Sequence, residues 1–166
     1  FMVEEEWRPQ AIIERLNRQT FRITDFTRFA TFFLGRLDPR TGCVEYVNAG
    51  HNPPLVIRRD GTIEKCPATG MPIGVLEESP YTTGELKLEP HDLLALFSDG
   101  ITETQKIDDE DEFGDERFEE FLVRERESDL DGVFARLQGD LADYRGEAEV
   151  GDDVTLMLLR RSAEAP

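Results

Sequence analysis

Three carboxylates lie in two short acidic turns, and each turn adjoins an apolar run. Asp99 follows Leu93–Phe97 closely, whereas Asp152 and Asp153 come directly before residues 154–159. Apolar runs of this length beside turn residues are typical of buried strands. If the two strands pair antiparallel, the end of the first lies beside the start of the second. Three carboxylates would then meet at one edge of a sheet, where a divalent cation relieves their mutual repulsion.

Each acidic residue also has a structural explanation. Asp99 is a common type of turn residue, and Asp152 is a common type of residue at the start of a strand. Gly100 and Gly151 permit tight backbone turns that would aim the neighbouring side chains. The metal interpretation has in its favour that hard divalent cations prefer oxygen ligands and that acidic residues occur in both turns.

The composition excludes several classes of protein. The chain has 166 residues and a formal net charge of −17, so we expect no binding to nucleic acid, whose phosphates the chain would repel. The acidic surface serves either solubility or the docking of a partner, and solubility is the simpler interpretation. No apolar stretch approaches the length of a membrane span, and no secretory leader is evident. Two isolated cysteines and two histidines predict reduced thiols and no zinc cluster, so we expect a cytoplasmic protein.

The elements that must position the acidic turns follow from hydrophobic periodicity and turn residues. Helices are predicted at residues 9–21, 116–126 and 130–144, and strands at residues 28–37, 43–48, 55–59, 62–65, 82–88, 93–97 and 154–159. The pair Asp60-Gly61 predicts a type I′ turn between two of these strands. The strands are expected in meander order, and the helices make this an α+β layered fold.

Five segments occur in the order and spacing of one known pattern. They are residues 29–33 (FATFF), 46–54 (YVNAGHNPP), 70–74 (GMPIG), 97–103 (FSDGITE) and 152–155 (DDVT). With them the chain resembles the PPM-type metal-dependent protein serine/threonine phosphatases, in the bacterial branch that regulates sporulation and stress sigma factors. The resemblance implies a sandwich of two antiparallel β-sheets flanked by helices. It places a partial phosphatase domain, without its N-terminal part, at residues 1–160 and a polar tail at residues 161–166.

The same resemblance implies the chemistry of the site. Asp99 and Asp152 would be catalytic metal ligands, Asp153 would assist them, and Gly100 and Gly151 would position the backbone. The expected cofactors are Mn²⁺ or Mg²⁺, two ions in the complete domain. The expected reaction is attack of metal-bound hydroxide on phosphoserine or phosphothreonine of a small regulatory protein, an anti-sigma-factor antagonist. The resemblance does not identify residues that bind the substrate.

One departure from the family pattern limits this expectation. The family has a further metal-binding aspartate before the segments present here, and Asp25 and Asp38 lie in the wrong contexts to replace it. The abrupt start at Phe1 is either a fraying terminus or the beginning of the back part of a larger domain. We therefore expect the fragment alone to be weakly active or inactive. The resemblance to this branch also implies a sensor or receiver domain upstream. The alternative function is a catalytically silent phosphatase-like module that binds a regulatory protein.

Other polar residues give weaker indications of function. His51 is interpreted as a structural residue at a tight strand connection, in preference to a proton donor. Glu103 either supports the metal ligands or is solvated. The acidic run that starts at Asp109 is interpreted as a solvated loop, because Phe113 occupies a position where a calcium loop needs an oxygen ligand.

Overall fold

The computed structural model describes residues 7–24, 28–107, 111–149 and 151–163. Within these residues the chain forms three helices and seven strands. The helices are α1 (Pro9–Ile23), α2 (Gly114–Glu125) and α3 (Leu130–Arg145). The strands are β1 (Phe32–Leu37), β2 (Cys43–Ala49), β3 (Leu55–Ile57), β4 (Ile63–Lys65), β5 (Gly84–Lys87), β6 (Leu93–Phe97) and β7 (Leu156–Arg160). Every helix and strand predicted from the sequence is present, with bounds that differ by a few residues.

The chain divides into two compact units. The first contains the described residues up to Pro53 together with Cys66–Leu88, and the second contains Pro54–Lys65 and the described residues from Glu89 onward. The first unit has the sheet order β1-β2-β5 and carries α1. Its core includes Ile13 of α1 and Val47 of β2, which are both fully buried. The amphipathic pattern that predicted α1 therefore marks the face that packs in this unit.

The second unit contains both acidic turns. Its sheet has the order β4-β3-β6-β7, and every neighbouring pair is antiparallel. Leu93 and Ala95 of β6 are fully buried, as are Phe118 and Leu122 of α2. The central strand β6 is therefore held on its flanks by β3 and β7 and covered by helical side chains, which gives the Asp99 turn a rigid base.

The strand order differs from the predicted meander. β3 and β4 belong to the second sheet, and the chain then returns to the first sheet with β5 before β6 enters the second. The prediction was wrong because each strand pair can be read from local turns, whereas the pairing of β2 with β5 joins strands far apart in sequence.

The hairpin at Asp60 and Gly61 also differs from its prediction. A type I′ turn needs a positive φ at both central residues, but only Gly61 has one, at 89°. The amide of Gly61 donates to the carbonyl of Arg58 at 2.9 Å, and the amide of Arg58 donates to the carbonyl of Thr62 at 2.8 Å. This is the three-residue loop that ends in a glycine bulge. Asp60 contributes through its side chain, which accepts from the amide of Thr62 at 2.9 Å.

A buried carboxylate fixes the start of β6. Asp92 is 2% exposed and forms an ion pair with Arg58, with 2.5 Å between its Oδ2 and the arginine Nη1. It also accepts from the amides of Glu89 at 2.8 Å and Arg59 at 3.2 Å. These bonds satisfy a charge that would otherwise be costly to bury. Cys43 and Cys66 are free thiols, as expected. Across the described ranges, no helix is both long enough and apolar enough to cross a membrane.

Candidate active site at two adjoining acidic turns

The register of β6 and β7 brings the two acidic turns together. The strands are antiparallel, and their last ladder pair is Phe97 with Leu156. Beyond that pair the ladder continues by one bond, in which the amide of Ser98 donates to the carbonyl of Thr155 at 3.1 Å. The turn after β6 therefore lies beside the turn before β7. The antiparallel pairing predicted from the sequence is confirmed.

The side chain of Ser98 joins the two turns. Its Oγ donates to the carbonyl oxygen of Asp153 at 2.7 Å and accepts from the amide of Thr155 at 2.9 Å. Together with the amide bond of Ser98, these contacts make three hydrogen bonds across the junction. Ser98 therefore couples the Asp99 turn to the Asp152–Asp153 turn through main-chain atoms.

Gly100 allows the turns to approach this closely. A Cβ added to Gly100 would lie 2.5 Å from the carbonyl oxygen of Asp153 and 3.4 Å from the carbonyl carbon of Asp152. The neighbouring atoms belong to the backbone, so they cannot rotate away as a flexible side chain would. At Gly151, by contrast, an added Cβ would meet no atom within 4 Å. Close packing therefore requires glycine at the first of the two positions, and the role predicted for Gly151 stays a prediction.

The three acidic side chains are exposed. Oδ1 of Asp99 accepts from the amide of Gly100 at 3.1 Å, and Oδ1 of Asp152 accepts from the amide of Asp153 at 2.7 Å. Their Oδ2 atoms accept no hydrogen bond from any residue that the structure describes, and neither does the side chain of Asp153. Each turn thus presents carboxylate oxygens that remain available to a ligand.

The two turns offer few ligands to a divalent metal ion. Within the part of the chain that the structure describes, no group of three or more His, Cys, Asp or Glu side chains is close enough to hold a metal. The backbones of the turns meet, but the three carboxylates do not gather as the sequence had led us to expect. The exposed oxygens on adjoining turns fit a cation such as Mg²⁺, which keeps several waters and takes only one or two carboxylates from a protein. The ligand roles of Asp99, Asp152 and Asp153 stay predictions.

A cavity of about 390 Å³ opens beside these turns. Its lining includes Gly100, Asp152 and the exposed Glu103, whose amide donates to the carbonyl of Asp99 at 2.8 Å. Two cationic residues, Lys106 and Arg145, also line it. Neither residue was predicted from the sequence. No spacing pattern links a loop lysine to the last residue of a helix, so only the folded chain shows that they share a cavity.

Two other polar features were interpreted from the sequence: His51 and the acidic run that starts at Asp109. His51 lies in the first unit, just after β2, where its amide donates to Oδ1 of Asn48 at 2.8 Å. Its ring Nδ1 lies 3.3 Å from Oγ1 of Thr31. These contacts agree with the structural interpretation of His51. Of the acidic run interpreted as a solvated loop, Asp109 and Glu110 lie outside the described residues.

Comparison with known proteins defines first the class of protein. The structure matches the SiaA-PP2C domain of Pseudomonas aeruginosa with a TM-score of 0.78 and 21% sequence identity. The match covers 92% of this chain and 61% of that chain. The two antiparallel sheets and the helices of this chain therefore form part of a PP2C-type phosphatase domain. The resemblance seen in the sequence motifs is confirmed at the level of the fold.

The family follows from the sequence match. The family model described as Stage II sporulation protein E (SpoIIE) matches residues 1–162, and the chain belongs to this family. Among curated proteins it is 28% identical over 138 residues to Protein IcfG of Synechocystis sp., covering 83% of this chain and 22% of that protein. It is also 28% identical over 156 residues to Phosphoserine phosphatase RsbU of Bacillus subtilis, covering 92% of this chain and 45% of that protein. The chain therefore spans less than half the length of either relative.

Proposed function

We propose that this chain is part of a protein phosphatase that hydrolyses phosphoserine or phosphothreonine on a small regulatory protein of the anti-sigma-factor antagonist type. One observation carries the proposal: hydrogen bonds between main-chain and side-chain atoms hold the Asp99 turn against the Asp152–Asp153 turn. Family membership and the similarity to a protein named phosphoserine phosphatase support the same reaction.

The acidic turns would hold the metal. The PP2C family is metal-dependent, and in this chain Asp99 and Asp152 would bind Mn²⁺ or Mg²⁺, with Asp153 assisting. Two such ions in the complete domain would supply electrostatic stabilisation to a phosphoryl group and activation of water. Ser98 and Gly100 contribute by fixing the distance between the turns, so that little reorganisation is needed when a cation binds.

The expected substrate, the control of the reaction and its location follow from the same family. A phosphorylated regulatory protein would be the substrate, and a sensor or receiver domain of the longer protein would control access to the site. The relatives are more than twice as long as the matched segment, which leaves room for such domains. The reaction would take place in the cytoplasm, where sigma-factor regulators act.

Substitution of the acidic residues tests the proposal. Asp99→Asn and Asp152→Asn in the complete gene product should each lower Mn²⁺-dependent hydrolysis of a phosphoserine peptide by about 100-fold or more, because each removes a charge that stabilises the transition state. Asp143→Asn is the matched control, since Asp143 is an exposed aspartate of α3 outside the site. Melting temperatures report whether each variant is folded. Full turnover by folded Asp99→Asn protein would contradict the assignment.

A second function has one observation in its favour. The described residues contain no group of three metal-ligating side chains, as expected of a silent phosphatase-like module that binds a regulatory protein. Mn²⁺ titration and phosphopeptide hydrolysis, carried out on this chain and on the complete gene product, separate the two functions. Hydrolysis by the complete product alone means that the chain is one part of an active enzyme. Hydrolysis by neither, with binding of a regulatory protein by both, means that the module is silent.

A further inference from the structure

The cavity beside the acidic turns contains cations that the proposed metal chemistry does not use. Lys106 and Arg145 are the positively charged residues of its lining, which also contains four acidic residues: Glu103, Glu112, Glu149 and Asp152. The whole chain carries a net charge of −17, so a phosphorylated substrate approaches an unfavourable field. The two cations offset half of the four negative charges in this lining, and they are its positively charged groups that can donate to a phosphate oxygen.

Arg145 has hydrogen-bond donors to spare. It is the last residue of α3 and half-buried, and its side chain forms no hydrogen bond or ion pair with another described residue. Its Nε is buried without any partner. The buried Nε does not itself face a ligand, but the terminal N–H groups of the same guanidinium group have no partner among the described residues and can donate to an incoming anion. A guanidinium group suits phosphate in particular, because its fork of N–H groups can donate to two phosphate oxygens.

Lys106 is held at the same cavity by an aromatic ring. Its Nζ lies 4.4 Å from the centre of the Tyr144 ring, and Tyr144 directly precedes Arg145 on α3. The tyrosine hydroxyl donates to Oδ2 of Asp111 at 2.9 Å, which fixes the ring beneath the lysine. The lysine and the arginine are therefore held by one turn of one helix.

We infer that Arg145, assisted by Lys106, binds the phosphate group of a phosphorylated serine or threonine segment at the cavity beside the Asp99 and Asp152 turns. The inference rests on the proposed function and names a substrate-binding position for the same site. Both cations would contact the substrate directly: they hold the phosphate beside the turns and take no part in breaking the ester bond. Removing either cation should therefore weaken substrate binding and leave the chemical step nearly unchanged.

The test uses the complete gene product with Mn²⁺ and a synthetic phosphoserine peptide with neutral flanking residues. Arg145→Gln should raise KM about tenfold with kcat within about twofold, because a charge-assisted hydrogen bond is lost from the bound state. Arg145→Lys should recover much of the loss, and Lys106→Gln should raise KM by a smaller factor. Arg59→Gln is the matched control, because Arg59 is exposed in the second unit and is held by its backbone atoms.

Binding without turnover gives a second measurement. Calorimetry with the same peptide and the inactive Asp99→Asn protein should show weaker binding when Arg145→Gln is added, by about the factor seen in KM. A purely structural role is separable, because a cation at a helix C-terminus stabilises that helix. In that case Arg145→Gln would lower the melting temperature and leave KM and peptide affinity at the wild-type values.

The outcomes distinguish the inference from the proposed function. If the wild-type protein hydrolyses the peptide and Arg145→Gln has the same KM, the inference is wrong and the proposed function stands. If the wild-type protein does not hydrolyse the peptide but Arg145→Gln weakens its binding to the protein, the phosphate site stands and the enzymatic proposal fails. A fall in kcat at constant KM in Arg145→Gln would also overturn the inference.

Discussion

The hydroxyl of Ser98 is the most precise test of how the acidic turns are held together. Ser98→Ala removes one side-chain oxygen and leaves the ladder bond between the amide of Ser98 and the carbonyl of Thr155 in place. It deletes the bond to the carbonyl of Asp153 at 2.7 Å and the bond from the amide of Thr155 at 2.9 Å. We expect the two turns to separate slightly and the protein to lose stability.

The magnitude follows from the number and setting of these bonds. Each hydrogen bond contributes about 0.5–1.5 kcal/mol net, and Ser98 is half-buried, so water replaces part of what is lost. The expected change is therefore a loss of about 1–2 kcal/mol in the free energy of unfolding. For a chain of this length, that loss lowers the melting temperature by about 2–8 °C.

Urea unfolding followed by circular dichroism measures the change, with Thr155→Val as the matched control. Thr155 lies at the same junction, but its side chain makes no hydrogen bond to the described residues. The control should stay within about 0.5 kcal/mol of the wild type. If the turns also bind Mn²⁺, Ser98→Ala should weaken its apparent affinity by about tenfold, since it removes a group that supports the ligands. An unchanged free energy of unfolding in Ser98→Ala, or an equal loss in Thr155→Val, would refute the coupling.

Two further predictions concern the second unit. Gly100→Ala should destabilise the protein by more than about 2 kcal/mol, because its Cβ would lie 2.5 Å from the carbonyl oxygen of Asp153. The control Gly139→Ala on α3 places a Cβ with no atom within 4 Å and should stabilise the protein by up to about 1 kcal/mol. Equal changes in the free energy of unfolding, measured in urea, would contradict the close approach. Burial raises the pKa of Glu125, but hydrogen bonds, including one from Arg136 at 2.7 Å, outweigh it and hold the pKa below the ordinary value of 4.5. The stabilisation by the ionised carboxylate is present above pH 4.5 and is lost as the pH falls through the folded-state pKa. The free energy of unfolding by which wild type exceeds Glu125→Gln should therefore shrink on acidification. An excess that grows as the pH falls would contradict the lowered pKa.

Local sequence patterns predicted the elements well. The strand Leu93–Phe97 was predicted with its observed bounds, because a short apolar run between turn residues has few alternative structures. The hairpin at Gly61 was predicted, but its turn type was not, since the choice between two-residue and three-residue loops depends on hydrogen bonds that Arg58 and Thr62 make across the loop. The pairing of β2 with β5 could not be predicted, because no local signal links such distant strands.

The candidate site, too, could be predicted from the sequence only in part. The types and positions of Asp99, Asp152 and Asp153 pointed to an acidic centre, and their roles as metal ligands stay predictions. The role of Ser98 as a bridge was not predicted, because it depends on the exact register of β6 and β7. A shift of that register by one residue would have moved the Ser98 side chain to the other face of the sheet.

The sequence by itself determined which segments become strands and helices, which residues turn the chain, and where acidic side chains occur, because hydrophobic periodicity and turn chemistry act over a few neighbouring residues. The tertiary structure alone decided how closely the two acidic turns approach, that Gly100 packs against Asp153, and that Lys106 and Arg145 share a cavity. These relations join residues far apart along the chain. They depend on strand register and side-chain packing, which are settled only when the whole unit folds.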